Sequence, residues 1–358
     1  MAEPLRVAIV GCGNISGAYG ETIDRHPSVR IVGATDVDPT LSTAFVERFG
    51  GTVYPTLADV LADPGVDAIV NLTFPAVHAE VTTAALEAGK HVHSEKPLAS
   101  DYAEARALVD LAAARGLRLA CSPITFMGEA QETMWRLVEE GAIGTVRVAY
   151  ADVNWSRIER WHPRPEPFYR IGPFADVGVY PLTILTAMFG PARRVSAVGQ
   201  VVFPERTTTS GEAFTPGAPD FGVAVVELVS GTVIRLTANF YVGHHGKQKG
   251  IELHGDTGSI HISSWQEFDA TVELAAFEGS YEEVPVANAF PGTDWGRALD
   301  DLSAAIESGR PHRATGEQAA HVVEILDAIA ASTAESRPVE ITSSFTPPAL
   351  SAPSPAPA

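Results

Sequence analysis

The sequence predicts an α/β chain in two parts, a doubly wound parallel sheet followed by a mainly antiparallel one. Three observations carry this. Apolar, strand-like runs alternate with helical stretches as far as Cys121, at the spacing of βαβ units. A glycine-rich turn, Gly11-Cys12-Gly13-Asn14-Ile15-Ser16, stands between the first run and the first helix. Beyond Pro123 the rhythm changes to a helix and then to strands separated by tight turns such as Ser230-Gly231 and Asp256-Thr257-Gly258.

Residues 5–10 are an apolar run that ends in glycine and reads as a buried parallel strand. A helix over 15–25 follows, then a strand over 29–35 ending at Asp36, and Pro39 suits the first turn of the next helix. Residues 66–73 make another strand, and 76–88 a helix stopped by Gly89. His91-Val92-His93 leads into Glu95-Lys96-Pro97, a helix covers 101–115, and 117–121 is the last strand of this half. In the second part a helix over 127–140 ends at Gly141, and 145–155 reads as a strand. An aromatic, proline-rich loop occupies 156–173, and a helix 175–189. Strands near 193–202, 221–229, 232–242, 249–254 and 258–263 follow, and helices over 294–308 and 316–333 close the fold. The expected domains are 1–122 and 123–342, with a disordered Ser/Pro/Ala-rich tail over 343–358.

At 358 residues the chain suits about two domains. Its 45% hydrophobic and 19% charged content is that of a soluble globular protein. No run reaches the ~20 apolar residues of a membrane helix. The start, Met1-Ala-Glu-Pro-Leu-Arg, lacks an apolar signal core, so a cytoplasmic location is expected by default. Two cysteines, Cys12 and Cys121, exclude a disulfide framework and a cysteine-based zinc site. The net charge of −19 argues against nucleic acid and anionic membrane as partners and leaves small-molecule substrates open.

The turn at Gly11 to Ser16 has G-x-G-x-x-G spacing with serine in the last place. Gly11 would make the tight turn and Gly13 would admit a pyrophosphate to the backbone. Asn14 and Ile15 open the helix, whose N-terminus attracts negative charge. The strand before it, the helix after it and the acid at Asp36 supply the context of a dinucleotide site. A glycine turn serving packing alone, or a site for S-adenosylmethionine, is the alternative. Asp36 would accept from the adenosine ribose hydroxyls and repel a 2′-phosphate, and no arginine follows it directly. NAD is therefore favoured over NADP.

Lysine is scarce: only four of the 25 basic residues are lysine, at 90, 96, 247 and 249. Lys96, between Glu95 and Pro97 just past a strand, falls where open α/β sheets bind ligands. A hydroxyl undergoing oxidation must lose a proton as its hydride leaves, and a lysine in a partly desolvated cleft can take it, whereas arginine effectively cannot. Glu95 either orients this lysine or caps the turn.

On these residues the chain resembles the Gfo/Idh/MocA family of oxidoreductases. The matching segments are Gly11 to Ser16, Asp36, Thr73 to His78, Ala88 to Val92 leading into Glu95-Lys96-Pro97, Gly141 to Gly144, and Asp176-Val177-Gly178-Val179-Tyr180. The resemblance implies a Rossmann domain carrying NAD(P), with contacts from Thr73, His78, Glu95 and Lys96. It also implies an open-faced, mainly antiparallel C-terminal sheet, with substrate between the two. The outer face of that sheet would serve a homo-dimer or homo-tetramer. Carried over by position, Lys96 is the catalytic lysine, with Asp176 and Tyr180 on the substrate side. The implied reaction is hydride transfer between nicotinamide and a secondary hydroxyl or ketone of a sugar, glycoside or cyclitol.

The chain departs from the family in two places. Tyr180 stands where many members have histidine, and its phenol, ordinarily of pKa about 10, would donate a proton to a ketone or act as a base with Lys96⁺ nearby; a core tyrosine of an apolar helix is the alternative. Tyrosine at this position keeps trans-dihydrodiol or D-xylose dehydrogenation open. Phe74-Pro75 replaces the common Pro-Asn. Within the 156–173 loop, Trp161, His162 and Tyr169 either contact a carbohydrate-like substrate or plug the loop against the sheet. His244-His245 is read as a turn, since strand neighbours point to opposite faces, and no metal is expected. A non-catalytic NADH sensor and a glycosidase with tightly held NAD are the rivals from other classes.

Overall fold

The computed structural model describes residues 3–243 and 245–351. The chain folds as two units: unit 1 comprises 1–127 with 294–323, and unit 2 comprises 128–293 with 324–358. The sequence predicts a second domain over 123–342 with a disordered tail over 343–358. The structure instead returns 294–323 to the first, with the later boundary inside one long helix.

In unit 1 the strands are β1 (Leu5–Val10), β2 (Val29–Thr35), β3 (Thr52–Val53), β4 (Ala68–Asn71), β5 (His91–Ser94) and β6 (Leu119–Cys121). They pair in the order β3-β2-β1-β4-β5-β6, parallel throughout. The interleaved helices are α1 (Ser16–Ile23), α2 (Pro39–Phe49), α3 (Leu57–Ala62), α4 (His78–Glu87) and α5 (Tyr102–Arg115). Their ends follow local chemistry. The Asp38 side chain accepts from Thr40 N–H with Pro39 in the first turn, Thr56 caps α3, and Asp101 accepts from Glu104 N–H. Gly116, left-handed at φ +65°, ends α5. Val7, Ile9, Ile69, Val70 and Val92 have no exposed surface; each such side chain contributes about 1.5–3 kcal/mol on burial. The strand order reverses between β1 and β4, so the crevice at their carboxyl ends is the expected ligand site.

The returning segment finishes unit 1. Cys121 N–H donates to Ala314 O, and Ala120 bridges Thr315, so the β6 edge is covered. Helix α9, Arg297–Ser308, belongs here too; Gly296 just before it donates to Thr22 Oγ1 of α1 at 3.0 Å.

Unit 2 begins with α6 (Glu129–Glu139) and β7 (Val146–Asn154). The loop after β7, read from sequence as irregular, contains α7 (Glu166–Pro173). A single π-turn, Phe174–Gly178, leads into α8 (Val179–Phe189). The remaining strands are β8 (Ala192–Gln200), a ribbon of β9 (Arg206–Thr207) and β10 (Ala213–Phe214), β11 (Phe221–Leu228), β12 (Val233–Asn239), β13 (Gly250–Gly255), β14 (Gly258–Ile262), β15 (Val272–Ala276), β16 (Glu282–Val284) and β17 (Val339–Glu340). Nine strands form one sheet in the order β16-β15-β14-β13-β7-β12-β11-β8-β17. Only the β7–β12 pairing is parallel, so the sheet is mixed but mainly antiparallel. Its inner face is buried. Phe174 of the π-turn lies where a Cβ on Gly222 of β11 would sit. Val198 and Val225 are exposed on the other face.

The last helix, α10 (Gly316–Glu335), crosses the boundary between units. The tail expected to be disordered from 343 is held at its start, because Ser343 N–H donates to Glu324 at 2.8 Å and Phe345 is buried. Residues 352–358 lie outside the described residues. Among the described residues one run, Glu166–Phe189, is long and apolar enough by length and composition to cross a membrane, where the sequence predicts none. Gly172, at φ +79° and ψ 169°, breaks it, and 78% of its apolar window is buried.

Candidate active site

The crevice at the carboxyl ends of β1 and β4 is built from the glycine turn outward. Gly11 has φ +93°, and a Cβ there would lie 2.8 Å from the Leu72 and Thr73 backbone, so only glycine fits. Gly13 is the opposite case, exposed, with nothing within 4 Å of where its Cβ would be. Asn14 is exposed beside it. Helix α1 has Ile15 at its N-cap, with no side-chain cap and no acid in its first turn, which leaves its N-terminus to an anion. Ser16 Oγ ties back to Gly13 O at 2.7 Å.

Asp36 leaves the end of β2 and fastens the turn. Its Oδ2 accepts from Cys12 N–H at 2.6 Å and its Oδ1 from Asp38 N–H at 2.8 Å. A carboxylate can accept about four hydrogen bonds, so capacity remains for ribose hydroxyls. Burial and this carboxylate push the Cys12 thiol up to about 12, and burial raises Cys121 as well, so neither thiol is a nucleophile near neutral pH. A dinucleotide therefore fits: a cradle with room at Gly13, an uncapped helix and an acid at the ribose position.

Thr73 follows β4, its hydroxyl donating to Asn71 Oδ1 at 2.6 Å. His78, expected from sequence to touch cofactor, is buried instead. Its Nδ1 lies 2.7 Å from Pro97 O and its Nε2 2.9 Å from Thr73 O. With both nitrogens turned to carbonyls, it braces the loop after β4 against the loop after β5.

Lys96 is half-buried at the end of β5. Glu95 is buried and faces its own unit: Oε2 accepts from Lys96 N–H at 3.0 Å and Oε1 from the Tyr19 hydroxyl at 2.8 Å. Glu95 thus holds the main chain of the turn at Lys96 itself. Tyr19, missed by sequence reasoning, is fully buried on α1 and stacks on Trp295 with ring centroids 5.5 Å apart. Its signal was a polar aromatic on the inward face of the helix that follows the glycine turn.

In unit 2, Asp176 lies in the π-turn and Tyr180 in the first turn of α8, both buried. The π-turn interrupts the regular helix over 175–189 that the sequence predicted. Tyr180 packs on Trp265 at 5.0 Å, and Trp265 on Trp155 at 5.6 Å. Gln131 Nε2 donates to Ser264 O and Glu267 O and so fixes the turn that carries Trp265. Nothing in the local sequence placed Trp265 against Tyr180.

The substrate candidates divide. Trp161 is 53% exposed and His162 half-buried, and both pack with Phe168. Tyr169 is fully buried, and its hydroxyl donates to Glu159 and accepts from Arg206 at 2.7 Å, so the side chain is spent on the interior. Arg206, itself without exposed surface, also pairs with Glu159 at 2.7 Å and Asp220 at 2.5 Å. Among the described residues no group of three or more His, Cys, Asp or Glu is arranged to hold a metal. His244 lies outside the described residues, and His245 is exposed.

Comparison with known proteins follows this division. Residues 5–122 match the model of an oxidoreductase family with an NAD-binding Rossmann fold, and 132–261 match that of the GFO/IDH/MocA C-terminal domain. An inositol 2-dehydrogenase from Saccharopolyspora erythraea is 28% identical over 263 residues, 72% of this chain and 73% of the relative. A dTDP-3,4-didehydro-2,6-dideoxy-α-D-glucose 3-reductase from Streptomyces violaceoruber is 28% identical over 340 residues, 90% of this chain and 97% of the relative. The solved structure of levoglucosan dehydrogenase with NADH and L-sorbose has the same fold. Its TM-score is 0.83 at 21% identity, over 95% of this chain and 99% of that one.

Proposed function

Since the chain belongs to the GFO/IDH/MocA family of oxidoreductases, we propose that it transfers hydride between NAD and a secondary hydroxyl or ketone of a sugar, glycoside or cyclitol. One observation carries the reading: Lys96 leaves β5 at the sheet edge that also holds the Gly11–Gly13 turn and Asp36. Relatives named for inositol and for a dTDP-linked keto sugar support the substrate class.

Gly11, Gly13 and the start of α1 would hold the pyrophosphate, and Asp36 the adenosine ribose. The Asp36 charge, reinforced by Asp38 two residues on, favours NAD over NADP. The nicotinamide, when bound, accepts or supplies the hydride. Lys96 takes the hydroxyl proton during oxidation and returns it to the carbonyl oxygen during reduction. From unit 2, Asp176 is assigned to position the substrate and Tyr180 to donate a hydrogen bond to its oxygen, the transferred proton being that of Lys96. Tyr180 in place of histidine also favours a second reading, oxidation of a trans-dihydrodiol. Trp161 and His162 are assigned to the substrate as an aromatic face for sugar C–H surfaces. The exposed valines at 198 and 225 support assembly of copies through the outer sheet face.

The test is an absorbance assay with NAD⁺ and a panel of pyranosides, free sugars, inositols and dihydrodiols. A substrate-dependent rise in NADH that disappears in Lys96→Ala is expected. Retained turnover in that variant removes Lys96 from the mechanism.

A further inference from the structure

The N–H of Lys96 has no partner in the sheet ladder. The last such contact on this strand is Glu95 N–H to Asn71 O at 2.9 Å, and Pro97 brings no N–H of its own. The conformation at 96 is instead set by the Glu95 carboxylate, which turns back to accept the Lys96 N–H at 3.0 Å. That carboxylate is aimed by Tyr19, whose hydroxyl donates to its other oxygen at 2.8 Å.

We propose that Tyr19 is a positioning residue for Lys96, acting through the Glu95 carboxylate. His93, Ser122 and Cys121, beside the pair, belong to unit 1. His93 Nε2 and Ser122 Oγ lie 3.1 and 2.9 Å from the Tyr19 oxygen, and Cys121 Sγ is 3.8 Å from Glu95 O. His93 is fully buried with Nδ1 unpartnered. A bare lone pair costs less there than an unpaired N–H, so the ring proton sits on Nε2. His93 and Ser122 can then both donate to the Tyr19 oxygen, leaving its single proton for Glu95. The Tyr19 proton is thereby directed at the carboxylate. Tyr19 belongs to the helix whose N-terminus faces the glycine turn, so this chain of contacts joins the cofactor cradle to the lysine loop.

The arrangement makes a statement about Lys96 that needs no substrate. With only four lysines, competitive acetylation by acetic anhydride, followed by mass spectrometry, reads Lys96 against exposed Lys247 in the same sample. Glu95→Gln removes a negative charge one residue away and should raise the labelling of Lys96 about threefold or more. In Tyr19→Phe the carboxylate loses its anchor and turns toward the ammonium, and labelling should fall about threefold. In the double variant the Tyr19 substitution should add less than about 1.5-fold to Glu95→Gln alone. An unchanged ratio in Tyr19→Phe overturns the proposal. So does the same fall with and without Glu95, which would mean that Tyr19 supports only the fold.

Should Tyr19→Phe fail to fold, isosteric Glu95→Gln carries the test, and unchanged Lys96 labelling in it overturns the proposal. The catalytic importance of the arrangement rests on the proposed role of Lys96. Turnover in Lys96→Ala tests that role and the labelling ratio tests Tyr19, so the two failures are distinguishable.

Discussion

The Asp36 carboxylate accepts the main-chain N–H of Cys12 at 2.6 Å, which makes the acid at the end of β2 part of the glycine turn itself. One side chain thus shapes the phosphate cradle and presents charge to the ribose. Asp36→Ser should weaken NADH binding tenfold or more, as expected for loss of charged hydrogen bonds worth about 1.5–3 kcal/mol. It should weaken NADPH binding less, because the repulsion of a 2′-phosphate goes with the carboxylate. Fluorescence titration with both nucleotides checks this, and an unmoved NADH/NADPH ratio removes Asp36 from cofactor choice.

Gly11 and Gly13 look alike in sequence and should fail differently. A Cβ on Gly11 meets the Leu72–Thr73 backbone at 2.8 Å and sits at positive φ, so Gly11→Ala should cost about 2–4 kcal/mol of stability. A Cβ on Gly13 meets nothing, so Gly13→Ala should melt within about 1 °C of the parent. Its defect should be in NADH affinity, about tenfold or more, because the added methyl occupies space meant for phosphate. Thermal melts and NADH titrations of the two variants separate these outcomes.

Arg206, without exposed surface, is held by Glu159, Asp220 and the Tyr169 hydroxyl. Arg206→Met leaves two buried carboxylates uncompensated and should cost about 3–5 kcal/mol in urea denaturation. Tyr169→Phe removes one donor to Glu159 and should cost about 1–3 kcal/mol. Because that hydroxyl is turned inward, KM for substrate should stay within about twofold. A large rise in KM at unchanged stability would return Tyr169 to the substrate.

How far the sequence could be read follows from where the information lies. Most of the parallel sheet was legible because its longer strands are short apolar runs and several helices carry local start or stop signals, as at Pro39, Gly89 and Gly116; β3 and α3 were not, the one being two exposed residues and the other six residues long. The glycine turn and Asp36 were legible because their spacing is local. The return of 294–323 to unit 1 was not, since it depends on contacts such as Gly296 with Thr22, more than 270 residues apart. Tyr169 and His78 have the chemistry of contact residues, and only their partners show that they face inward. The π-turn at Phe174–Gly178 follows a glycine at positive φ, and no periodicity announces it. Strands β15 and β16 lie beyond the last turn that the pattern marked.

Acid should weaken unit 1 through its buried histidines. Burial lowers His93 from its ordinary 6.5 to about 3 and lowers His91 and His312 in the same direction. In the unfolded chain these rings take up protons near pH 6.5, while folded His93 stays neutral until about pH 3. Between those values the unfolded state binds more protons, so stability rises with pH there. The contribution of His93 is therefore full above pH 6.5 and is lost progressively on acidification toward pH 3, at up to about 1.4 kcal/mol per pH unit. His93→Gln keeps a polar side chain that cannot titrate. It should be less stable than the parent at pH 7.5, through imperfect hydrogen bonding to Tyr19 and Ser122. Its stability should also fall less steeply between pH 6.5 and 4. Urea denaturation across that range reads the slope directly. Parallel curves for parent and variant would show that His93 is not held neutral in the folded state.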